Sequence, residues 1–238
     1  MAQYRLAHHV FSCVRDRQVV LLDLKQNRYF LLDATKVGAF THLIHGWPAD
    51  WTSPDSPEIG RLSHLISTLL QRGMLTTVLR EGWDAVQPVQ LASPAIGLID
   101  EQENLRPRIR ASDLFAFLVA AGYAKFALHF LPFERIISRV RLRRMASASD
   151  GNPPSVERLR ELVEIFLLLR IFLFSSRNAC LFNSLTLLEF LARYRVLPDW
   201  VFGVQVTPFA AHCWLQWENL ILNDSLETVC GYTPIMKA

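Results

Sequence analysis

Short apolar runs separated by polar turns fill the first 80 or so residues of the chain. Their β-branched and aromatic residues are typical of strands joined by hairpins, and three runs are predicted as strands: residues 4–8, 19–23 and 28–32. Residues 34–46 and 58–72 instead repeat apolar side chains at helical spacing, which predicts two helices. The pattern predicts a winged-helix-like module, three strands and then helices, over residues 1–82.

The hydrophobic pattern changes after a proline-rich segment, which predicts a linker over residues 83–110. Helical periodicity resumes at Ser112 and continues, with a polar break after residue 146, to a leucine-rich helix that follows Cys180. Three strand-like runs come next: residues 200–206, 211–217 and 220–224. The chain is therefore predicted as α+β, with a helical domain that carries a small antiparallel sheet over residues 111–238.

Composition favours a folded protein over a disordered one, since hydrophobic residues make up 51% of the chain and charged residues 20%. Four cysteines are too few for a disulfide scaffold, and the first residues lack a secretory signal pattern. We therefore expect reduced thiols and a cytoplasmic protein. The most apolar window, residues 114–133, has Lys125 near its centre, where a charge is costly in a bilayer. A buried helix is favoured, and no stable membrane span is expected.

Positive charge is concentrated in the middle of the chain. The net charge is +3, whereas residues 105–170 contain 12 Lys and Arg against 6 Asp and Glu. A solvated helix face explains this bias, but two binding alternatives stay open. One is a non-catalytic winged-helix regulator whose basic helix contacts nucleic acid, and the other is a membrane-surface protein that uses residues 133–144.

Three residues of the C-terminal part have the chemistry of a cysteine peptidase. Cys180 opens the leucine-rich helix, where free N–H groups and the positive end of the helix dipole favour a thiolate. His212 lies in the second strand-like run, and Asp224 ends the third. Each alone is more often a structural residue. Together they supply the nucleophile, the base and the carboxylate that orients the base.

The turn between the last two strands determines whether His212 and Asp224 meet. If its loop holds residues 217–219, His212 lies directly opposite Asp224, with Cβ atoms about 4.5–5.5 Å apart, and Asn219 takes the left-handed conformation. A two-residue loop opposes Cys213 to Asp224 and turns His212 to the other face. The triad hypothesis therefore requires the three-residue loop.

Zinc binding is the competing use of cysteine and histidine in this chain. The candidate ligands Cys180, His212, Cys213 and Cys230 show no short paired spacing, so no metal site is predicted. The sequence contains neither a Walker loop nor a dinucleotide fingerprint, and no cofactor is readable.

The residues around the triad resemble a known family. The segments NACLFNSLTLLEFLARY and FGVQVTPFAAHCWLQWENLILND are similar to the B protein of lasso-peptide biosynthesis, a transglutaminase-like leader peptidase. The matching elements are the cysteine that opens a leucine-rich helix, Gly203 with Val204, Pro208 with Phe209, His212 with Trp214, and Asn223 with Asp224. The resemblance implies a papain/transglutaminase-like fold with Cys180, His212 and Asp224 as catalytic residues.

The first module resembles the PqqD-like precursor-peptide recognition element of the same pathway. This resemblance implies that a leader peptide adds a strand to the edge formed by Arg28, Tyr29, Phe30, Leu31 and Leu32 and packs against the helix at 58–72. The substrate would be a lasso precursor peptide, and the partner enzyme an asparagine-synthetase-like macrolactam synthetase that consumes ATP. ATP is expected in connection with that synthetase, the resemblance leaves its use in the cleavage step open, and no nucleic-acid partner is expected. Fold and triad leave acyl transfer to an amine open as an alternative to hydrolysis.

Overall fold

The structure is a computed structural model that describes residues 3–33, 38–48, 59–86, 89–100, 107–147, 155–171 and 180–238. The chain divides into two compact units. The first comprises Met1–Val89, Val204–Ala210 and Thr233–Met236, and the second comprises Gln90–Gly203, Ala211–Tyr232 and Lys237–Ala238. The functional boundaries at 1–82, 83–110 and 111–238 stay a prediction.

A three-stranded antiparallel meander forms part of the first unit. Its strands are β2 (Val10–Arg15), β3 (Gln18–Asp23) and β4 (Arg28–Asp33), in the order β2-β3-β4. Asp16 and Arg17 form the first turn with φ angles of 49° and 57°, the left-handed conformation that matches the twist of a two-residue hairpin. The strands at 19–23 and 28–32 are confirmed. Strand β2 was not predicted, because its polar residues interrupt the apolar pattern.

A second small sheet uses β1 (Arg5–Ala7), which lies between β5 (Leu75–Thr76) and β6 (Gly82–Trp83). The predicted strand at 4–8 therefore pairs outside the meander. Helix α1 (Ile59–Gln71) agrees with the periodicity of residues 58–72. The prediction of an α-helix at 34–46 is wrong for the residues that the structure describes, because Gly38–His42 form a short 3-10 helix. Residues 34–37 lie outside the described part. The buried core includes Leu6, Val10, Leu21, Phe40, Ile44, Ile66 and Met74.

The described part of the second unit contains five helices: α2 (Ala111–Phe130), α3 (Phe133–Ser147), α4 (Val156–Arg170), α5 (Cys180–Ala192) and α6 (Leu226–Cys230). Helix α2 packs closely along α5. Its buried face includes alanines at positions 116, 120, 124 and 127, and small side chains allow two helix backbones to approach. Within the described residues, α2 is the one helix whose length and apolar composition would suffice to cross a membrane.

The arginines of α3 make contacts within the second unit. Three of them contact other side chains: Arg139 lies over the Tyr123 ring at 4.7 Å, Arg143 is 2.9 Å from a Glu189 oxygen, and Arg144 pairs with Asp199. The guanidinium of Arg141 also donates to the backbone oxygen of Lys237 at 3.0 Å. The basic character of this helix is therefore used in part for packing and ion pairs inside the protein.

A five-stranded sheet has the order β11-β8-β9-β10-β7. The strands are β7 (Ile96–Gly97), β8 (Asp199–Gln205), β9 (Ala210–Trp217), β10 (Leu220–Ile221) and β11 (Thr233–Lys237). The runs at 200–206 and 211–217 are confirmed as strands, while the third is shorter than predicted. Strand β7 pairs in parallel with β10 and falls inside the segment predicted as a linker.

Candidate active site

Cys180 is the first residue of α5, and its side chain is half-buried. Side-chain hydrogen bonds with Cys213 and His212 lower the pKa of its thiol to about 4, and they outweigh burial, which raises it. The charge of His212 and a backbone hydrogen bond from Cys213 act in the same direction. Cys180 is therefore a thiolate at neutral pH, the form that attacks a carbonyl carbon.

His212 lies on β9 and contacts both other members of the predicted triad. Its Nε2 is hydrogen-bonded to Oδ2 of Asp224, which leaves Nδ1 for the Cys180 sulfur. Burial lowers the pKa of the imidazole, but the hydrogen bonds and charges of Asp224 and Cys180 raise it to about 9. The side chains of His212 and Asp224 are 17% and 21% exposed, so water screens their interaction weakly. The structure thus brings the three predicted residues together.

The β9–β10 turn differs from the sequence-based prediction. Strand pairing joins Leu220 to Trp217 and Ile221 to Gln216, so the loop consists of two residues, Glu218 and Asn219. The residue in the left-handed conformation is Glu218, with a φ of 52°. The predicted three-residue loop is therefore wrong, and with it the direct opposition of His212 and Asp224.

Asp224 reaches His212 because the chain leaves the sheet just before it. In the last backbone hydrogen bond between β9 and the chain after β10, Leu222 N donates to Leu215 O at 3.0 Å. Next, Leu215 N donates to the side-chain Oδ1 of Asn223 at 2.8 Å instead of to a backbone oxygen. Asp224 also accepts from the N–H of Ser225 at 2.8 Å, where α6 begins. Its carboxylate is thus fixed from a turn and not from a strand position.

A buried polar bridge lies beneath the triad. The side chain of Asn223 donates to Ser184 Oγ at 3.1 Å, and this hydroxyl donates to the backbone oxygen of Cys213 at 3.1 Å. Ser184 is one helical turn after Cys180 on α5, so the bridge ties the nucleophile helix to β9 and to the residue before Asp224. The role of Ser184 was not predicted from the sequence. The signal that could have indicated it is a polar side chain within a leucine-rich helix.

Two aromatic rings and one arginine surround the histidine–aspartate pair. The Trp214 ring is stacked on His212 with centroids 6.3 Å apart, and the Tyr232 ring lies at 5.2 Å. Arg170, the last residue of α4, is close enough to Asp224 for their charges to interact. Burial lowers the pKa of Arg170, and the Asp224 charge opposes this. Arg170 could not be predicted as part of the site, since it ends an apolar helix far from Asp224 in the chain.

The predicted peptide-binding residues lie on β4, in the first unit. Strand β4 is an outer strand of the meander. The side chains of Phe30 and Leu32 pack on the core of the first unit, while that of Leu31 is 40% exposed. The guanidinium of Arg72 lies over the Phe30 ring at 5.5 Å. Of the two remaining residues of the set, Arg28 is exposed, and the Tyr29 ring lies 5.7 Å from the Phe209 ring. These five residues lie on the last strand of the described meander, beside the end of α1.

Among the described residues, no three or more His, Cys, Asp or Glu side chains form a group that could hold a metal ion. Cys213 and His212 contact Cys180, and His212 contacts Asp224, so these side chains are engaged with one another.

Comparison with known proteins identifies the C-terminal part of the chain. Residues 124–237 match the family model described as the Transglutaminase-like superfamily. This range contains Cys180, His212 and Asp224, so the C-terminal part of the chain that holds the triad is similar to transglutaminase-like domains. Such domains are usually cysteine peptidases or acyltransferases. No curated protein and no solved structure matches the chain.

Proposed function

We propose that this protein is a cysteine peptidase that binds the leader of a ribosomally made lasso precursor peptide and cleaves it from the core. The observation that carries the proposal is the contact of Cys180, His212 and Asp224 within a transglutaminase-like domain. The resemblance of the surrounding sequence to lasso-peptide B proteins supports the choice of substrate. The amine freed by cleavage would be the group that an ATP-consuming macrolactam synthetase uses for ring closure.

Cleavage begins from a thiolate–imidazolium pair, since the pKa of Cys180 is about 4 and that of His212 about 9. The sulfur attacks the scissile carbonyl carbon, and the carbonyl π electrons move to oxygen. When the tetrahedral intermediate collapses, the C–N bond breaks and His212 gives its proton to the leaving amine of the core peptide. The leader remains on Cys180 as a thioester.

Hydrolysis of the thioester restores the enzyme. Neutral His212 takes a proton from water, and the hydroxide attacks the thioester carbon. The C–S bond then breaks, which releases the leader carboxylate and the Cys180 thiolate. Asp224 keeps the imidazole oriented through Nε2 during both steps.

Strand addition is the proposed mode of leader binding in the first unit. β4 is an outer strand of the meander, and a leader strand added there would gain affinity from backbone pairing and specificity from its side-chain contacts. The outward side chain of Leu31 and the Arg72 guanidinium above Phe30 would contact the apolar and acidic residues of a leader. The proposed recognition element over residues 1–82 and the peptidase over 111–238 would then act on one bound peptide.

The test is incubation of the protein with candidate precursor peptides, followed by mass spectrometry of leader and core. We expect cleavage by the wild type and its loss in both Cys180→Ala and His212→Ala. Cys230→Ala is the matched control, because Cys230 is an exposed cysteine on α6 outside the triad contacts. Leader removal that persists in Cys180→Ala would exclude this nucleophile.

Acyl transfer is the second function that the transglutaminase-like domain supports. In that reaction an amine, instead of water, captures the thioester. The two outcomes differ in product mass, so the same incubation with and without added primary amine distinguishes them. A leader that ends in an amide of the added amine would identify a transferase.

A further inference from the structure

One buried hydroxyl lies where the segments that carry the triad meet. Ser184 is fully buried on α5, one helical turn after Cys180. Its Oγ donates to the backbone oxygen of Cys213 at 3.1 Å and accepts from Nδ2 of Asn223, also at 3.1 Å. The thiol of Cys213 donates to the same oxygen at 3.7 Å. A hydroxyl has one proton and two lone pairs, so these three hydrogen bonds use its full capacity.

A backbone group fixes the direction of these hydrogen bonds. The amide N–H of Leu215 donates to Oδ1 of Asn223 at 2.8 Å, and an N–H can only donate. The Asn223 side chain therefore presents its nitrogen to Ser184, whose oxygen accepts there. The Ser184 proton is then free for the Cys213 carbonyl, which can only accept. Ser184 is 0% and Asn223 6% exposed, so a partner lost here leaves a buried polar group unsatisfied.

Each part of this network is next to one member of the triad. Ser184 follows Cys180 by one helical turn. The accepting carbonyl belongs to the residue after His212, and the donating amide belongs to the residue before Asp224. We propose that Ser184 and Asn223 are positioning residues that hold the sulfur, the imidazole and the carboxylate at fixed distances from one another. This inference rests on the proposed catalytic role of the triad.

Loss of the network should affect the chemical step. The Cys180 thiolate is stabilised by the side chains of Cys213 and His212. His212 in turn faces Asp224, and the charge of Arg170 acts on that carboxylate. If the segments move apart, this stabilisation of the thiolate weakens, and a misplacement of about 1 Å can slow a reaction about 10²-fold.

Ser184→Ala and Thr186→Val are the matched pair of variants. Both remove a fully buried hydroxyl from α5, but Thr186 Oγ1 donates to the Phe182 oxygen of its own helix at 2.7 Å and does not join the network. We expect kcat for precursor cleavage to fall by about 10- to 100-fold in Ser184→Ala with KM unchanged. In Thr186→Val, kcat should stay near the wild-type value. The melting temperature should fall in both, because each variant loses a buried hydrogen bond.

A second readout needs no peptide substrate. The rate of Cys180 alkylation by iodoacetamide is followed against pH, with peptide mass spectrometry to separate Cys180 from the other cysteines. We expect the midpoint to rise by about one pH unit in Ser184→Ala, a tenfold change in the thiol equilibrium, and to stay in place in Thr186→Val. A protein that shows this shift but cleaves no precursor would retain the inference and lose the proposed substrate, so the two failures are distinguishable.

Asn223→Ala opens the network from its other side. If Ser184 and Asn223 act through one network, the double variant should lose about as much kcat as the worse single variant, because coupled residues are not additive. Two outcomes would overturn the proposal. One is a pair of independent losses that multiply in the double variant, and the other is an unchanged kcat and midpoint in Ser184→Ala beside a lowered melting temperature.

A wild-type measurement covers the case in which these variants do not fold. Hydrogen exchange of the side-chain amide protons of Asn223 is followed by NMR, with the exposed Gln71 as the reference. A hydrogen bond to a buried hydroxyl predicts that exchange from Asn223 is slower by about 10²-fold or more. Exchange as fast as that of Gln71 would show that the network does not form, and the proposal would fail.

Discussion

At the scale of single residues, the chemistry of the site depends on two pKa values that move in opposite directions. Contacts with Cys213 and His212 lower the Cys180 pKa to about 4, and contacts with Asp224 and Cys180 raise the His212 pKa to about 9 against burial. The ion pair of Cys180 thiolate and His212 imidazolium is present at pH values above about 4 and below about 9. The thiolate–imidazolium form of the candidate site is therefore present over a broad range of pH.

A pH profile tests this ion pair. We expect kcat/KM for precursor cleavage to be bell-shaped, with an acidic limb near pH 4 and a basic limb near pH 9. In Asp224→Asn the basic limb should move down toward the ordinary histidine value, because the charge that raises the His212 pKa is gone. The rate should also fall by about 10²- to 10⁴-fold. The control is Glu218→Gln, which removes an exposed carboxylate from the neighbouring turn and should leave both limbs in place. If the basic limb did not move in Asp224→Asn, Asp224 would not be the group that raises the His212 pKa.

At the scale of secondary-structure elements, β8 and β9 must approach closely to place the rings around His212. A Cβ on Gly203 of β8 would lie 2.8 Å from the Trp214 ring and 2.9 Å from Tyr232 Cβ. These are the two side chains whose rings flank His212. The absence of a side chain at Gly203 is therefore a packing requirement of the active site.

Gly203→Ala tests that requirement. Because the added methyl overpacks a buried contact, we expect the free energy of unfolding to fall by about 1–3 kcal/mol and cleavage to slow. Gly122→Ala is the matched control: nothing lies within 4 Å of the added Cβ there, and in the interior of α2 alanine is favoured over glycine by about 1 kcal/mol. Thermal or urea unfolding measures both. If Gly122→Ala lost as much stability as Gly203→Ala, overpacking at position 203 would not explain the loss.

The same elements show what the sequence could predict. Local signals were sufficient for α1, for β8 and β9, and for the identity of the three residues that meet at the site. The β9–β10 turn was mispredicted because Glu218, not Asn219, takes the left-handed conformation, against the usual preference for asparagine. Strand β7 was missed because two residues in a proline-rich segment carry no periodicity, and their partner β10 is more than 100 positions away.

At the scale of the whole molecule, the proposal assigns recognition and chemistry to different compact units. Strand β4 belongs to the first unit, and the three triad residues belong to the second. A leader held by one unit raises the effective concentration of the scissile bond at the other. Changes on β4 should therefore affect affinity, while changes in the triad should affect the chemical step.

Leu31→Ser separates the two functions. The Leu31 side chain is an apolar group, 40% exposed, on the outward face of β4. Its replacement by serine should therefore weaken leader binding and raise KM several-fold. The kcat at saturating peptide and the alkylation rate of Cys180 should stay unchanged. Val78→Ser, at an apolar residue of the same unit that is 48% exposed and outside the meander, is the control for loss of surface hydrophobicity. His212→Ala should behave in the opposite way, with leader affinity retained by fluorescence anisotropy and kcat lost. Equal leader affinity in Leu31→Ser and wild type would mean that β4 is not the recognition edge, whatever the triad does.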